Sequence, residues 1–309
     1  MYKKSLQGLN PGGGFLPAGF FIFFQGGKSM AKLIDYRCRY AEYSGMAKEE
    51  AAKKGLSLPG AYLCAEQIAL LAGSEAVLPF DPVLEAESMG AEIKFDDSPL
   101  GPRKDKDIVT KIDQLTGLSD IDVTKGRLAE TLKAVRLINE NGGNASVELH
   151  GPVTIINGVA DIMKILMGWR KSPEIMDAFF DKVSKGLVDF AVAAEKAGCK
   201  IIYYADSPGS LNILGPKYAR QITENFTVPF LKKLDEALPK DCIIHLCPKT
   251  SFLLAGCEKA CWKKAEFAEP LPYKDACLSL RGKVRILGQR CRKAENIKTT
   301  RINYLELSE

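Results

Sequence analysis

Residues 200–207 read KIIYYADS, an apolar run that ends in an aspartate and a serine. Its β-branched and aromatic side chains predict a buried strand. Residues 172–198 precede it and repeat apolar side chains at helical spacing, with Gly198 at the end. Residues 215–238 follow it and predict another helix, kinked or broken at Pro229. A strand with a helix on either side in the chain is the repeating unit of a parallel sheet.

The same alternation continues through the second half of the chain. Further strands are predicted at ASVELH (145–150), CIIHLC (242–247), KVRILGQRC (283–291) and, as a short final strand, RINYLEL (301–307). The spacing of these strands leaves room for crossover helices, as parallel pairing requires. The most economical fold is an α/β protein with a single (β/α)8 TIM-type barrel, whose active site lies at the carboxyl ends of the strands. An open doubly wound sheet is the alternative.

The first half contains weaker strand signals. The candidates are GFFIFFQ (19–25) as the first strand, LPGAYL (58–63) as a strand or a loop, EAVLPFD (75–81) as a strand that ends in Asp81, and AEIKFDD (91–97) as a hairpin strand. Residues 122–143 predict a long helix. We expect residues 1–14 to form a flexible leader and residues 15–309 to form one domain.

Composition limits the function classes. The chain has 309 residues, of which 46% are hydrophobic, so it can bury a large core. Its 43 Lys+Arg residues against 38 Asp+Glu residues give a net charge of +5 without a basic block, which argues against a nucleic-acid partner. The apolar run GFFIFF is too short to span a bilayer. Nine irregularly spaced cysteines without a secretion signal indicate a reducing, cytoplasmic location and no membrane partner.

Polar side chains are predicted at the carboxyl ends of five strands. They are Asp81, His150, Asp206, the pair His245 and Cys247, and Cys291. In a βα barrel these residues would meet at one mouth, where chemistry takes place. Each also has a structural explanation. Asp81 can cap a helix, His150 can bond a turn, and Asp206 can open an Asx-turn.

His245 and Cys247 are candidate metal ligands. Residues i and i+2 of a strand point to the same face, so the imidazole and the thiol would project together. Zinc commonly takes three such ligands at a catalytic site, and Cys291 on the following strand is the third candidate. Cys257 and Cys261 are rivals, since they are i and i+4 on a presumed helix. The alternative is a buried histidine beside a buried thiol.

Four long segments carry a resemblance to a known family. They are PFDPVLEAESMGAEIKFDDSPLGP (79–102), ELHGPVTIINGVAD (148–161), residues 198–234 and IIHLC (243–247). Together they resemble the uroporphyrinogen decarboxylase superfamily. The His-x-Cys segment is similar to that of its cobamide-dependent methyltransferase branch, the methylcobamide:coenzyme M methyltransferases in particular. The resemblance runs from about residue 20 to residue 291 and implies a βα barrel.

The two branches of this superfamily imply different chemistry. The decarboxylase branch carries an Arg-Gln-Ala-Gly-Arg motif near the N-terminus, which is absent here, and only Asp81 matches its functional aspartate. The methyltransferase branch supplies His-x-Cys and a third thiolate in a Gly-Cys-Gly motif, which is also absent. We therefore assign the role of third zinc ligand to Cys291 as a hypothesis.

The resemblance implies a zinc-dependent methyltransferase, with zinc on His245, Cys247 and Cys291. It would move a methyl group between a small thiol, methyl ether or methylamine and a corrinoid (methylcobamide) carried by a corrinoid-binding partner protein. Asp81 and Asp206 would be catalytic, and His150 and Tyr204 would bind substrate. Two alternatives remain: a metal-independent decarboxylase or lyase that uses Asp81, and a non-catalytic partner of a corrinoid protein.

Overall fold

The protein is described by a computed structural model, which covers residue 53 and residues 60–96, 101–294 and 296–308. Its strands are β1 (Val77–Leu78), β2 (Ile93–Lys94), β3 (Arg103–Lys104), β4 (Ser146–His150), β5 (Ile201–Ala205), β6 (Ile243–Leu246), β7 (Ala260–Pro272), β8 (Ile286–Leu287) and β9 (Lys298–Leu307). The main sheet has the order β1-β4-β5-β6-β8-β9-β7, and β2 pairs with β3 in a separate hairpin.

Helices connect the parallel strands. They are α1 (Gly60–Leu63), α2 (Ala65–Ala72), α3 (Leu84–Ser88), α4 (Gly126–Glu140), α5 (Pro152–Val159), α6 (Ile162–Trp169), α7 (Pro173–Lys196), α8 (Leu211–Ile222), α9 (Val228–Ala237), α10 (Pro248–Gly256) and α11 (Tyr273–Leu278). A π-helical turn, Thr223–Thr227, joins α8 to α9 directly before Pro229. None of the helices in the described part of the chain is long and apolar enough to cross a membrane.

Strands β1, β4, β5, β6 and β8 are parallel, whereas β9 runs antiparallel to both of its neighbours. The parallel strands are neighbours in the same order as in the chain. A doubly wound sheet reverses its strand order at a switch point. The sequential order seen here therefore favours the predicted barrel-type fold over the doubly wound sheet. The described strands form an open sheet with β1 and β7 at its edges, and closure into a barrel is not seen within them.

The two faces of the sheet are covered by different elements. Ile202, Tyr204 and Ile244 belong to a large apolar cluster with the helices, which we call the outer face. Neighbours in parallel register share a face, so the inner face carries Glu148, His150, Tyr203, Ala205, His245 and Leu287. Helix α11 and Ile302 of β9 pack on the inner face in a second cluster. Both faces of the central strands are therefore buried, which explains their continuous apolar runs.

Most predicted elements are confirmed, in both halves of the chain. Strands occur at residues 146–150, 201–205, 243–246 and 286–287, and the hairpin strand pairs as expected at Ile93–Lys94. The long helix within residues 122–143 is α4, and the π-helical turn accounts for the predicted irregularity at Pro229. The predicted leader (1–14) and first strand (19–25) lie outside the described residues.

Three predictions were wrong. Residues 60–63 of the second candidate strand are helical. The final strand is ten residues long and antiparallel, instead of a short strand that ends the parallel series. Strand β7 replaces part of the helix expected after Cys247: α10 ends at Gly256, so Cys257 and Cys261 do not share a helix face. Strand β7 has few buried side chains and depends on pairing with β9, so its local sequence carries little apolar periodicity.

Candidate functional site

Buried polar residues collect where the parallel strands end. His150 is the last residue of β4, Asp206 follows β5, and Asp81 lies three residues after β1. All three are at most 6% exposed. Helix α5 begins just after His150, and α10 begins just after Cys247. The N-termini of these helices therefore lie at the same end of the sheet as the carboxyl ends of the strands. Each buried polar group here needs a partner, because an unpaired one is costly.

The partner of His150 is Glu85, a fully buried residue of α3. The backbone N–H of His150 donates to Glu85 Oε1 at 2.9 Å, and its Nδ1 lies 3.0 Å from Oε2. Burial by itself lowers the pKa of His150, but the adjacent Glu85 carboxylate and the more distant charges of Glu148 and Asp81 together outweigh burial and raise that pKa to about 9. The imidazole is therefore positively charged at neutral pH.

Asp206 caps helix α5 from the next strand. Its Oδ1 accepts 2.8 Å hydrogen bonds from the backbone N–H and the hydroxyl of Thr154, and its Oδ2 accepts from Val153 N–H at 3.2 Å. Burial raises the pKa of Asp206 to about 6, and the Thr154 bonds act against that increase. A carboxylate with this pKa can exchange a proton near neutral pH.

Two glycines allow Asp206 to fit. A Cβ on Gly151 would lie 2.5 Å from Asp206 Cβ, and one on Gly209 would lie 2.7 Å from Asp206 Oδ2. Both distances are shorter than a carbon atom tolerates, so any larger residue would displace the carboxylate. Asp206 also lines a small cavity together with Ser210, Thr227, Lys249 and Thr250.

Asp81 has a structural environment. It is fully buried, and both carboxylate oxygens accept from Arg127, from Nη1 at 2.7 Å and from Nη2 at 3.2 Å. Asp81 Oδ1 also accepts from Val83 N–H at 3.2 Å, which agrees with the capping alternative. Arg127 further donates to Glu87 at 2.6 Å. Asp81 and Arg127 thus form a buried ion pair, and the catalytic role of Asp81 stays a prediction.

His245 is held on the inner face. Its Nε2 lies 3.1 Å from the Tyr273 hydroxyl, and its ring packs against that of Tyr203 with 5.0 Å between centroids. Burial lowers the pKa of His245 to about 4, so the imidazole is neutral at pH 7. In the described part of the chain, no three His, Cys, Asp or Glu side chains come together as ligands for a metal ion. The predicted set of His245, Cys247 and Cys291 is therefore not assembled.

Tyr204 packs among the helices. Its side chain points to the outer face, because it alternates with Tyr203 along β5, and its ring packs 5.2 Å from that of Phe230. It therefore does not share the face of His150, although its hydroxyl would lie 2.4 Å from a Cβ on Gly151. A direct substrate-binding role has no support from this position.

Cys291 is half-buried and stands beside an ion pair that the sequence does not reveal. Arg292 donates through Nε to Glu148 Oε2 at 2.8 Å, across the inner face from β4. Burial alone would raise the pKa of Glu148, but Arg292 outweighs it and lowers that pKa. Glu148 lies on the same face of β4 as His150, and its charge contributes to the raised pKa of His150.

Sequence reasoning missed the partners Glu85, Arg127, Tyr273 and Arg292. A signal exists for Glu85 alone: it stands four residues after Asp81 in DPVLEAE, which places a second carboxylate close to Asp81 in the chain. An open cavity of about 530 Å³ lies between α3 and the start of α4. Arg127 forms part of its wall and links it to Asp81.

Comparison with known proteins agrees with the sequence resemblance. The profile of the uroporphyrinogen decarboxylase (URO-D) family matches residues 64–280. Methylcobamide:CoM methyltransferase MtbA of Methanosarcina acetivorans is 28% identical over 220 residues, which are 66% of this chain and 62% of the relative. MtbA of Methanosarcina mazei is 28% identical over 224 residues, which are 67% of this chain and 64% of that protein.

Further similarities extend the comparison. Methylcobamide:CoM methyltransferase MtaA of Methanosarcina barkeri strain Fusaro is 24% identical over 263 residues, 79% of this chain and 73% of the relative. A solved structure of a methyltransferase from Methanosarcina mazei matches with a TM-score of 0.55 and 22% identity, over 70% of this chain and 66% of that one. This structural likeness shows a shared fold. The chain spans less than two thirds of the length of the two MtbA relatives.

Proposed function

The chain belongs to the uroporphyrinogen decarboxylase (URO-D) family, and we propose that it transfers a methyl group from a corrinoid to a small thiol. The similarity to methylcobamide:CoM methyltransferases supports this proposal. The observation that carries it is the placement of two buried polar groups at the ends of adjacent parallel strands, His150 paired with Glu85 and Asp206 bonded to Thr154. The corrinoid would be a co-substrate carried by a partner protein, in the cytoplasm.

These two residues suit the chemistry of a thiol acceptor. A thiol must lose its proton before it attacks, because the thiolate is the nucleophile. Asp206 would accept that proton as its carboxylate becomes a carboxylic acid, and the positive His150 would stabilise the thiolate. The thiolate sulfur then forms a bond to the methyl carbon as the cobalt–carbon bond breaks. The electron pair of that bond stays with the corrinoid, and the methyl thioether leaves.

The described residues do not fit the prediction that zinc is bound by His245, Cys247 and Cys291. The Nε2 atom of His245 is occupied by Tyr273, and the candidate ligands do not assemble. The proposed chemistry therefore depends on His150 and Asp206. An eight-stranded closed barrel also stays a prediction, since the strand predicted at residues 19–25 lies outside the described residues. The decarboxylase alternative has less support, because the relatives that the chain resembles are methylcobamide:CoM methyltransferases.

The test is a methyl-transfer assay with methylcobalamin and 2-mercaptoethanesulfonate, in the absence of oxygen. Loss of the cobalt–carbon absorbance and formation of the methyl thioether by mass spectrometry are the two readouts. We expect Asp206→Asn to remove the proton acceptor and to lower the rate by about 100-fold or more. The matched control is Asp189→Asn, an exposed surface aspartate paired with Lys185. No thioether above the protein-free background would reject the enzyme proposal and favour the non-catalytic partner.

A further inference from the structure

The histidine of the His-x-Cys segment already has a buried partner. His245 is 3% exposed, and Tyr273, whose hydroxyl lies 3.1 Å from Nε2, is 2% exposed. The rings of the two residues meet edge to face, with 5.8 Å between centroids and 82° between planes. Tyr203 packs on the imidazole as well, at 5.0 Å. The imidazole of His245 is therefore in contact with two aromatic rings and hydrogen-bonded at Nε2.

Helix α11 fixes the tyrosine in this place. Tyr273 is its first residue, and Ala276 and Cys277 of the same helix are buried against the inner face. The apolar surface beneath them comes from Ile201, Ile243, Leu287 and Ile302. Moving Tyr273 away from His245 would expose this cluster to water, and burial of apolar area opposes that movement.

The strand before α11 restrains it further. Strand β7 ends at Pro272, directly before Tyr273, and it is paired with β9 through its last two residues, Leu271 with Thr299 and Pro272 with Lys298. The backbone at Tyr273 is thus tied to a two-stranded ribbon. The tyrosine cannot swing out as a free side chain on a loose loop would.

We propose that the Tyr273 hydroxyl, rather than a metal ion, is the partner of His245 Nε2, so that α11 closes the His-x-Cys segment to metal. Cys247 comes directly after β6 and Cys291 lies beyond β8, yet these two thiols and His245 do not come together as a ligand set within the described residues. Placing a metal on Nε2 would require the loss of the tyrosine hydrogen bond and the displacement of a packed ring. This inference does not depend on the proposed methyl transfer.

Nuclear magnetic resonance can test the contact directly, because the chain has only two histidines. Protein labelled with 15N-histidine gives two sets of ring signals, and His150→Gln assigns them. We expect Tyr273→Phe to shift the Nε2 signal of His245 and to leave His150 unchanged. The matched control is Tyr304→Phe, which removes a tyrosine hydroxyl from β9, another element packed against the same cluster. An unchanged His245 signal in folded Tyr273→Phe would overturn the proposal.

Zinc retention provides the second readout. Wild-type protein is incubated with zinc chloride, passed through a desalting column and measured by elemental mass spectrometry. We expect no stoichiometric zinc that depends on His245, and no shift of the His245 signals on zinc addition. Retained zinc that disappears in His245→Ala would overturn the proposal. This wild-type measurement decides the question even if Tyr273→Phe does not fold, and it is independent of any methyl-transfer activity.

Discussion

His150 and His245 lie on the same face of the parallel sheet, with strand β5 between them, and carry different charges at neutral pH. Burial lowers the pKa of His150, but the charge and hydrogen bond of Glu85, together with the charges of Glu148 and Asp81, outweigh burial and raise that pKa to about 9. His245 faces aromatic rings and a tyrosine hydroxyl, and burial lowers its pKa to about 4. The same side chain is thus a cation in one place and a neutral group in the other, because only His150 is hydrogen-bonded to a carboxylate.

The first prediction concerns stability at alkaline pH. The charged His150 makes its full contribution to the free energy of unfolding below pH 6.5. That contribution is lost as the pH rises through about 9, because the pKa of His150 is higher in the folded chain than in the unfolded chain. At about 1.4 kcal/mol per pKa unit, the free energy of unfolding should fall by on the order of 3 kcal/mol over this range. Urea denaturation at a series of pH values measures it.

Glu85→Gln removes the carboxylate that raises the pKa and should flatten this alkaline decline. Glu75→Gln is the control, because Glu75 is an exposed residue paired with Lys274 on the surface. Equal pH dependence in wild type and Glu85→Gln would contradict the assigned role of the His150–Glu85 pair.

The second prediction concerns acid. The neutral His245 contributes to stability fully above pH 6.5, and this contribution is lost as the pH falls through about 4, since the folded-state pKa is lowered. The ring signals of His245 should therefore stay those of a neutral imidazole down to about pH 5. Signals that titrate near pH 6.5 instead would show that the ring is exposed to water.

The third prediction concerns the buried pair of Arg127 and Asp81. Arg127→Met leaves a buried carboxylate without its cation and should lower the free energy of unfolding by about 3–5 kcal/mol. Asp81→Asn in the same chain should restore part of the loss, since the unpaired charge is removed. Arg103→Met is the control, because its bidentate pair with Asp96 is partly exposed and should contribute about 1 kcal/mol or less. Equal losses in the two arginine variants would show that burial of the pair is unimportant.

The fourth prediction concerns the close packing of Gly151 against Asp206 and Tyr204. In Gly151→Ala the new methyl group would stand 2.4 Å from the Tyr204 hydroxyl and 2.5 Å from Asp206 Cβ. We expect a loss of about 1–3 kcal/mol in the free energy of unfolding and a lower methyl-transfer rate. Gly117→Ala is the control, since among the described residues no other atom lies within 4 Å of the place that its methyl group would take. Tyr204→Phe combined with Gly151→Ala should recover some stability, and no recovery would place the clash elsewhere.

Much of the fold can be predicted from local sequence. The strands at Ser146–His150, Ile201–Ala205 and Ile243–Leu246 are buried on both faces, so each reads as an apolar run bounded by polar residues. The ribbon of β7 and β9 could not be predicted in the same way. Its side chains are mostly exposed, and its pairing depends on residues far apart in the chain, such as Ala260 and Leu307.

Local sequence is enough to predict which segments are strands and which polar residues end them, because strand propensity and side-chain alternation are local properties. Tertiary structure alone decided what those residues do. Arg127 reaches Asp81 across 46 residues, Tyr273 reaches His245 across 28, and Arg292 reaches Glu148 across 144. A charge state or a ligand set depends on which group is buried beside which other, and that is a property of packing in space.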